Sequence, residues 1–329
     1  MRVVVFGGGT GIGPAIEALK QISDHLTAVV SMFDTGGSAG IALNVFGAPL
    51  PQSDWWKAAL AMAPSDIDDV LLKLATHRFH SSSYLSGMAM GTLMMLALSQ
   101  IEGGEREAAV AASRLFRIQG DVLGVTEFRS DLVAMYENGM EIFQEHRIDA
   151  AEKDWQQTNK IVELRLVPPV DASVDVLKAI TESDFIVFAP WDLITSIVPN
   201  LLQRGIVEAI SGSRAPLVMV MNIMTKLGQT HRMTASGHIE VLESYLRMRK
   251  IRVAVLNNEP IPAKAREMYR LQKAEQVIDD LDRRPEVLTV RGNMLYDGLF
   301  SKVPGDIPRS LLRHNPDALE QAFREIFQR

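Results

Sequence analysis

The sequence predicts a doubly wound, mostly parallel α/β sheet, a Rossmann-like three-layer sandwich, carrying a helical and β-hairpin insertion. The chain opens with a valine-rich strand, a Gly-rich turn, a helix and a second apolar strand. Apolar strand patterns and helical patterns alternate again in the second half. Between these halves the alternation breaks, and Asn138-Gly139 stands at the centre of a hairpin pattern.

Residues 2–6 and 26–33 are short apolar runs of the kind buried on both faces of a parallel sheet. Between them, Ile16, Leu19 and Ile22 recur at helical spacing within residues 12–22. This unit is the usual opening of a doubly wound fold. Residues 54–116 read as mostly helical. The apolar run from Tyr84 to Leu98, with Met88, Met90, Met94 and Met95, is too short to span a bilayer and suits a buried helix. Leu132-Val133-Ala134-Met135-Tyr136 and Met140-Glu141-Ile142-Phe143 flank the turn, so an antiparallel segment follows. Residues 54–167 are thus expected to form the insertion.

Strand candidates resume at residues 185–188, 216–221 and 251–256, with helices over 174–180 and 239–248, and residues 315–327 close the chain as an amphipathic helix. A single α/β domain over residues 1–329 is expected, with a sheet assembled from both halves.

Composition narrows the function. With no cysteine, the chain has no disulfide, no thiolate nucleophile and no Cys-ligated zinc, in keeping with a reducing, cytoplasmic setting. A formal net charge of −6 argues against a duplex nucleic-acid partner. The amino terminus enters a strand at once, without a secretory signal pattern, and no membrane insertion is expected. The sequence leaves self-association open, a homodimer included.

Gly7-Gly8-Gly9-Thr10-Gly11-Ile12-Gly13 joins the first strand to the first helix. Glycines let backbone N–H groups approach phosphate oxygens, and the helix start adds partial positive charge. Neither a Walker A loop nor the strict Gly-x-Gly-x-x-Gly spacing is present. Gly7, Gly11 and Gly13 fit the looser turn of short-chain dehydrogenases, and Tyr269 and Lys273 form Tyr-x-x-x-Lys, which leaves an NAD(P) oxidoreductase as a third reading. That pair lies late in the chain, where a solvated helix is the better account of it.

A second loop, Asp34-Thr35-Gly36-Gly37-Ser38-Ala39-Gly40, follows the second strand. In a parallel sheet it emerges beside the first. Two adjacent glycine loops with a carboxylate suit a ligand with phosphates, a sugar or a bound Mg²⁺. Asp54 is either the second carboxylate or the cap of the helix that begins there. Pro190, Trp191, Asp192 and Thr195 follow the strand at 185–188, on the same edge. Asn222, Met224 and Thr225 follow the strand at 216–221; Asn222 either reads a base or ribose edge or closes a turn. His231 and His238, and His77 and His80, lack a third partner for a metal.

At these loops the chain resembles the CofD/YvcK family, which includes 2-phospho-L-lactate transferases and gluconeogenesis-factor-like regulators. The family opening Gly-Gly-Gly-Thr-Gly stands unchanged as Gly7, Gly8, Gly9, Thr10 and Gly11. Its Asp-Asp-Gly-Gly-Ser-Ser-Gly stands as Asp34-Thr35-Gly36-Gly37-Ser38-Ala39-Gly40, and its Leu-Pro-Pro-Gly-Asp as Leu50-Pro51-Gln52-Ser53-Asp54. Its Thr-Ser-Ile-Leu-Pro-Asn pattern appears as Thr195-Ser196-Ile197-Val198-Pro199-Asn200, and its Asn-Leu-Met-Thr as Asn222-Ile223-Met224-Thr225.

The resemblance implies a nucleotide or nucleotide-sugar ligand, specifically a UDP-sugar, and a regulatory role in carbon metabolism and cell-envelope shape. Its ligand contacts would fall on Gly7 through Gly11, Gly36, Gly37, Ser38, Pro190, Thr195, Asn222, Met224 and Thr225. The alternative it implies is a transferase moving a phosphoester group from a guanosine diphosphate donor to a deazaflavin. Asp34 and Asp54 would then be the catalytic residues and Mg²⁺ ligands. The departures from the pattern are Thr35, Trp56, Lys57, the stretch Gly87-Met88-Ala89-Met90-Gly91-Thr92, and Ala189-Pro190-Trp191-Asp192. They remove polar groups a transferase needs within tight tolerance, so a divergent regulator is expected.

Overall fold

A computed structural model describes residues 1–80, 85–297 and 311–328. Ten strands are present among them: β1 (Arg2–Gly7), β2 (His25–Val30), β3 (Asp121–Gly124), β4 (Asp131–Tyr136), β5 (Glu141–Phe143), β6 (Ile161–Val167), β7 (Phe185–Phe188), β8 (Leu217–Val220), β9 (Ile251–Asn257) and β10 (Leu288–Gly292). Seven of them form one sheet in the order β10-β9-β8-β7-β1-β2-β3, and every pairing in it is parallel. The chain runs outward from β1 through β2 to β3. It then returns to the other side of β1 at β7 and runs outward again to β10. The reversal between β1 and β7 opens a crevice at the carboxyl ends of those two strands.

The central strands show why the sheet forms here. Val3, Val4, Val5 and Phe6 are buried, as are Ile186, Val187 and Phe188 beside them. β-Branched and aromatic side chains favour the extended backbone, and each one fully buried stabilises by about 1.5–3 kcal/mol. Helix Ile12–Leu19 packs against helices Ser53–Met62 and Pro316–Phe327. The last of these buries Leu319, Ala322, Phe323 and Ile326, one stripe at helical spacing, and Asn315 caps it by accepting from the Asp317 and Ala318 N–H groups. Phe327 tilts against Phe185 at 4.1 Å between ring centroids, tying this helix to the sheet.

The first half of residues 54–167 is helical as expected, through Ser53–Met62, Asp69–Thr76, Met90–Glu102 and Glu105–Leu115. Tyr84, where the apolar run begins, lies outside the described residues. The hairpin is present: β4 and β5 are antiparallel, and β6 adds to β4 to complete a three-stranded sheet. Gly139 takes φ +79° at the turn. One strand does not follow the expected division. β3 lies inside residues 54–167 yet completes the edge of the main sheet beside β2. At four residues, with only Val122 buried, it is too short to show a strand period. β10, the opposite edge, was equally unannounced, because edge strands are only half buried. The helix expected over 239–248 occupies Ala235–Tyr245, where Thr234 caps it. No helix among the described residues is long and apolar enough to cross a membrane.

Candidate functional site

Loops following β1, β2, β7 and β8 converge at the crevice and enclose a cleft of about 810 Å³. Helix Glu145–Ala150, carried by the antiparallel insertion, supplies a further wall, together with Arg78 and residues 312–314.

Of the sequence-predicted residues, Thr10, Gly11, Asp34, Gly36, Gly37, Ser38, Asp54, Pro190, Thr195, Asn222, Met224 and Thr225 line this one cleft. Gly7, Gly8 and Gly9 are buried beneath it instead. A Cβ on Gly8 would lie 2.4 Å from Asp54 Oδ2, and one on Gly9 would lie 1.8 Å from Trp191 Cζ2. A Cβ on Gly11 would meet the Pro190 carbonyl oxygen at 1.8 Å. The Trp191 indole thus lies on the loop, and Gly9, at φ +52°, both tolerates the backbone turn and admits the ring. Packing inside the protein accounts for these glycines without a phosphate.

The second glycine loop is the open one. Gly36 precedes helix Gly37–Val45, and the helix start lines the cleft. The first-turn amides of such a helix lack partners within the helix and carry partial positive charge. The Ser38 hydroxyl is already engaged, accepting from the Ala89 N–H at 2.6 Å and donating to the Gly87 carbonyl. Arg78 stands beside it, donating to the Gly87 carbonyl at 2.8 Å.

Asp34 and Asp54 come together, as the family pattern implies. Asp34 accepts from the Gly36 N–H at 2.9 Å and from the Ser53 hydroxyl. Burial, and then the charge of Asp54, raise its carboxyl above the usual range. Lys57 Nζ lies 2.9 Å from Asp54 Oδ1. Burial opposes the Lys57 charge, but Asp54 and Asp34 outweigh it and hold the ammonium above its ordinary value. A Mg²⁺ bridging this pair would need free carboxylate oxygens. Asp34 keeps lone pairs beyond its two hydrogen bonds, but the Lys57 ammonium already occupies Asp54 Oδ1 and would repel a second cation there. The donor set present therefore does not fit the metal expected at Asp34 and Asp54.

A second charged group was not visible in the sequence. Lys226 bridges Asp149, on the insertion, and Asp192, after β7, the latter at 2.9 Å. Gln229 also donates to Asp149, at 2.9 Å, and Thr195 does so at 3.4 Å. Burial works against the Lys226 charge, yet the two carboxylates push it well above the usual lysine range. Glu145 faces the same group. Burial, then Asp34, Asp149 and Asp192, push its carboxyl well above the ordinary 4.5. His314 donates to the Met221 carbonyl at 3.0 Å, and burial lowers it to about 4. The i,i+4 spacing of Glu145 and Asp149 was the one available sequence signal, but a hairpin insertion gave no reason to aim it at the sheet.

Several expectations change. Asn222 does face the crevice, but its amide donates to the Trp191 carbonyl at 2.8 Å and holds that loop. Thr225 is buried, and its hydroxyl accepts from the Glu275 N–H at 3.0 Å. Met88 and Thr92 are buried away from the cleft, Met88 against Ala42, Leu43 and Ala48, so neither bears on an acceptor site. Thr35 pairs with His146 at 2.8 Å and is not part of the cleft lining. Trp56 is core, edge-on to Phe116. Among the departures, only Lys57, Trp191 and Asp192 meet the cleft. Tyr269 accepts from the Leu311 and Leu312 N–H groups at 2.9 and 3.1 Å, while Lys273, beyond the helix end, donates to Gln157. The two side chains hydrogen-bond to different partners, so the pair lends no support to the oxidoreductase reading.

Known proteins similar to this chain identify its family and share its fold. The family described as 2-phospho-L-lactate transferase CofD matches residues 3–295. A Thermotoga maritima protein is 37% identical over 329 residues, covering 99% of both chains. A gluconeogenesis factor of Halalkalibacterium halodurans is 32% identical, over 98% of this chain and 96% of that one. A crystal structure from Bacillus halodurans superposes with a TM-score of 0.87 at 29% identity, covering 98% of this chain and 99% of that one. The chain belongs to the CofD/YvcK family.

Proposed function

We propose that the cleft binds a nucleotide-sugar, with a UDP-sugar as the leading candidate, and that the protein is a regulator of the gluconeogenesis-factor kind rather than a transferase. The open helix start at Gly36, Gly37 and Ser38, with Arg78 beside it, carries this reading. An amide-lined helix end and a guanidinium in one cleft suit a diphosphate. The diphosphate belongs there rather than on Gly7, Gly8 and Gly9, which Trp191 and Asp54 cover. The carboxylates and amides around Lys226 suit sugar hydroxyls at the other end. The names of the relatives support a place in carbon metabolism, and the resemblance extends this to cell-envelope shape.

A thermal-shift panel of UDP-sugars, GDP, GTP and NAD(P), each with and without Mg²⁺, tests the proposal. A ligand bound at about 100 times its Kd stabilises by about 2.7 kcal/mol. UDP-sugars should raise the melting temperature equally in both conditions. A shift with GDP alone, appearing only with Mg²⁺, would favour the transferase.

A further inference from the structure

We propose that the Lys57 ammonium is the built-in cation of this cleft, holding beside Asp54 and Asp34 the place that a divalent metal would otherwise take. Three observations carry this. Asp54 is almost wholly buried, its side chain 6% exposed, and its Oδ2 packs against Gly8, where an added Cβ would lie only 2.4 Å away. Its other oxygen is 2.9 Å from Lys57 Nζ. A carboxylate this buried needs a fixed positive partner, because leaving one unpaired costs several kcal/mol. Asp34, hydrogen-bonded to Ser53 next to Asp54 in the chain, lines the same cleft and adds its negative charge to the field that holds the Lys57 ammonium. Asp54 and Lys57 lie one turn apart at the start of helix Ser53–Met62, so their separation is set by the helix and not by a mobile loop.

The consequence for ligands is chemical. A metal brings two positive charges and exchangeable water sites, and it bridges phosphate oxygens to carboxylates. A lysine brings one charge and hydrogen-bond donors, with no open coordination position. A phosphate-bearing ligand would then meet Lys57 directly, without a metal bridge. That last step rests on the nucleotide reading above; the cation role itself does not.

Titration of the full chain with Mn²⁺ alone, followed by electron paramagnetic resonance, tests the cation role without a nucleotide. Wild-type protein should take up no Mn²⁺ in the micromolar range. Lys57→Ala should bind one equivalent at least about tenfold more tightly than wild type, since a repelling charge is gone and two carboxylates are left. Adding Asp54→Asn to that variant should abolish the site, and Lys57→Arg should behave as wild type. Wild-type uptake of Mn²⁺ that Asp54→Asn removes overturns the proposal, as does a folded Lys57→Ala that binds none. If Lys57→Ala does not fold, Lys57→Gln and the wild-type titration decide. A parallel titration with UDP in EDTA and in Mg²⁺ separates the two readings. Equal affinity in both supports the direct lysine contact. Affinity that requires Mg²⁺ overturns it, and absence of UDP binding removes the nucleotide reading while the Mn²⁺ result still decides the cation role.

Discussion

Replacing Asn222 by alanine separates two roles that this residue can have in the cleft. Its amide donates to the Trp191 carbonyl at 2.8 Å, so its first effect is on the loop after β7. A neutral hydrogen bond contributes about 0.5–1.5 kcal/mol net. Both residues are half-buried, so water can reach the abandoned carbonyl, and the cost belongs at the lower end. If the loop must be held for binding, that energy appears as a loss of affinity of about two- to fivefold, at about 1.4 kcal/mol per decade. The loss should be the same for uridine, guanosine and adenosine diphosphates, because a loosened loop does not distinguish bases. Isothermal titration of the three nucleotides reads this directly. Asn222→Asp, which turns a carboxylate toward the Trp191 carbonyl in place of the amide donor, should cost more than alanine. A loss confined to one base, with the others unchanged, would refute the loop-holding role and place Asn222 against the base itself.

Gly9→Val should lower the melting temperature with or without ligand, because the side chain enters the Trp191 ring and the backbone holds φ +52°. In a Trp191→Ala background differential scanning should recover part of that loss, leaving the backbone strain. Glu145→Gln should stabilise the protein at pH 8 but not near pH 4.5. The raised Glu145 carboxyl contributes its full stability below 4.5 and loses it as pH rises through the folded value, whereas glutamine stays neutral. Equal melting curves at both pH values would contradict this. Tyr269→Phe should cost about 1–3 kcal/mol, two hydrogen bonds at 0.5–1.5 each, measured by urea unfolding. Unchanged stability would mean that the Leu311 and Leu312 amides find other partners.

Much of the architecture was legible in the sequence for a local reason. Val3 to Phe6, and the runs that become β2, β7, β8 and β9, are buried on both faces over most of their length, so each is mostly apolar. Their parallel order then obliges the loops that follow them to share one edge, which is why the sequence alone brings Asp34, Pro190, Thr195 and Asn222 together. β3 and β10 escaped because an edge strand is half exposed and leaves no continuous pattern. The site divides in the same way. That glycines would crowd the turn after β1 was written in the chain, but what crowds them was not. The Trp191 ring on Gly9, the Lys57 ammonium on Asp54 and the Lys226 bridge from Asp149 to Asp192 all join side chains whose partners are chosen by packing. Trp191 meets Gly9 only because β7 lies beside β1, and Asp149 reaches Lys226 only because the antiparallel insertion folds back over the sheet edge. Spacing along a chain fixes neighbours within a helix or strand; contacts between distant segments depend on how the layers close, and there the tertiary structure alone decided which loop is open to a ligand and which is sealed.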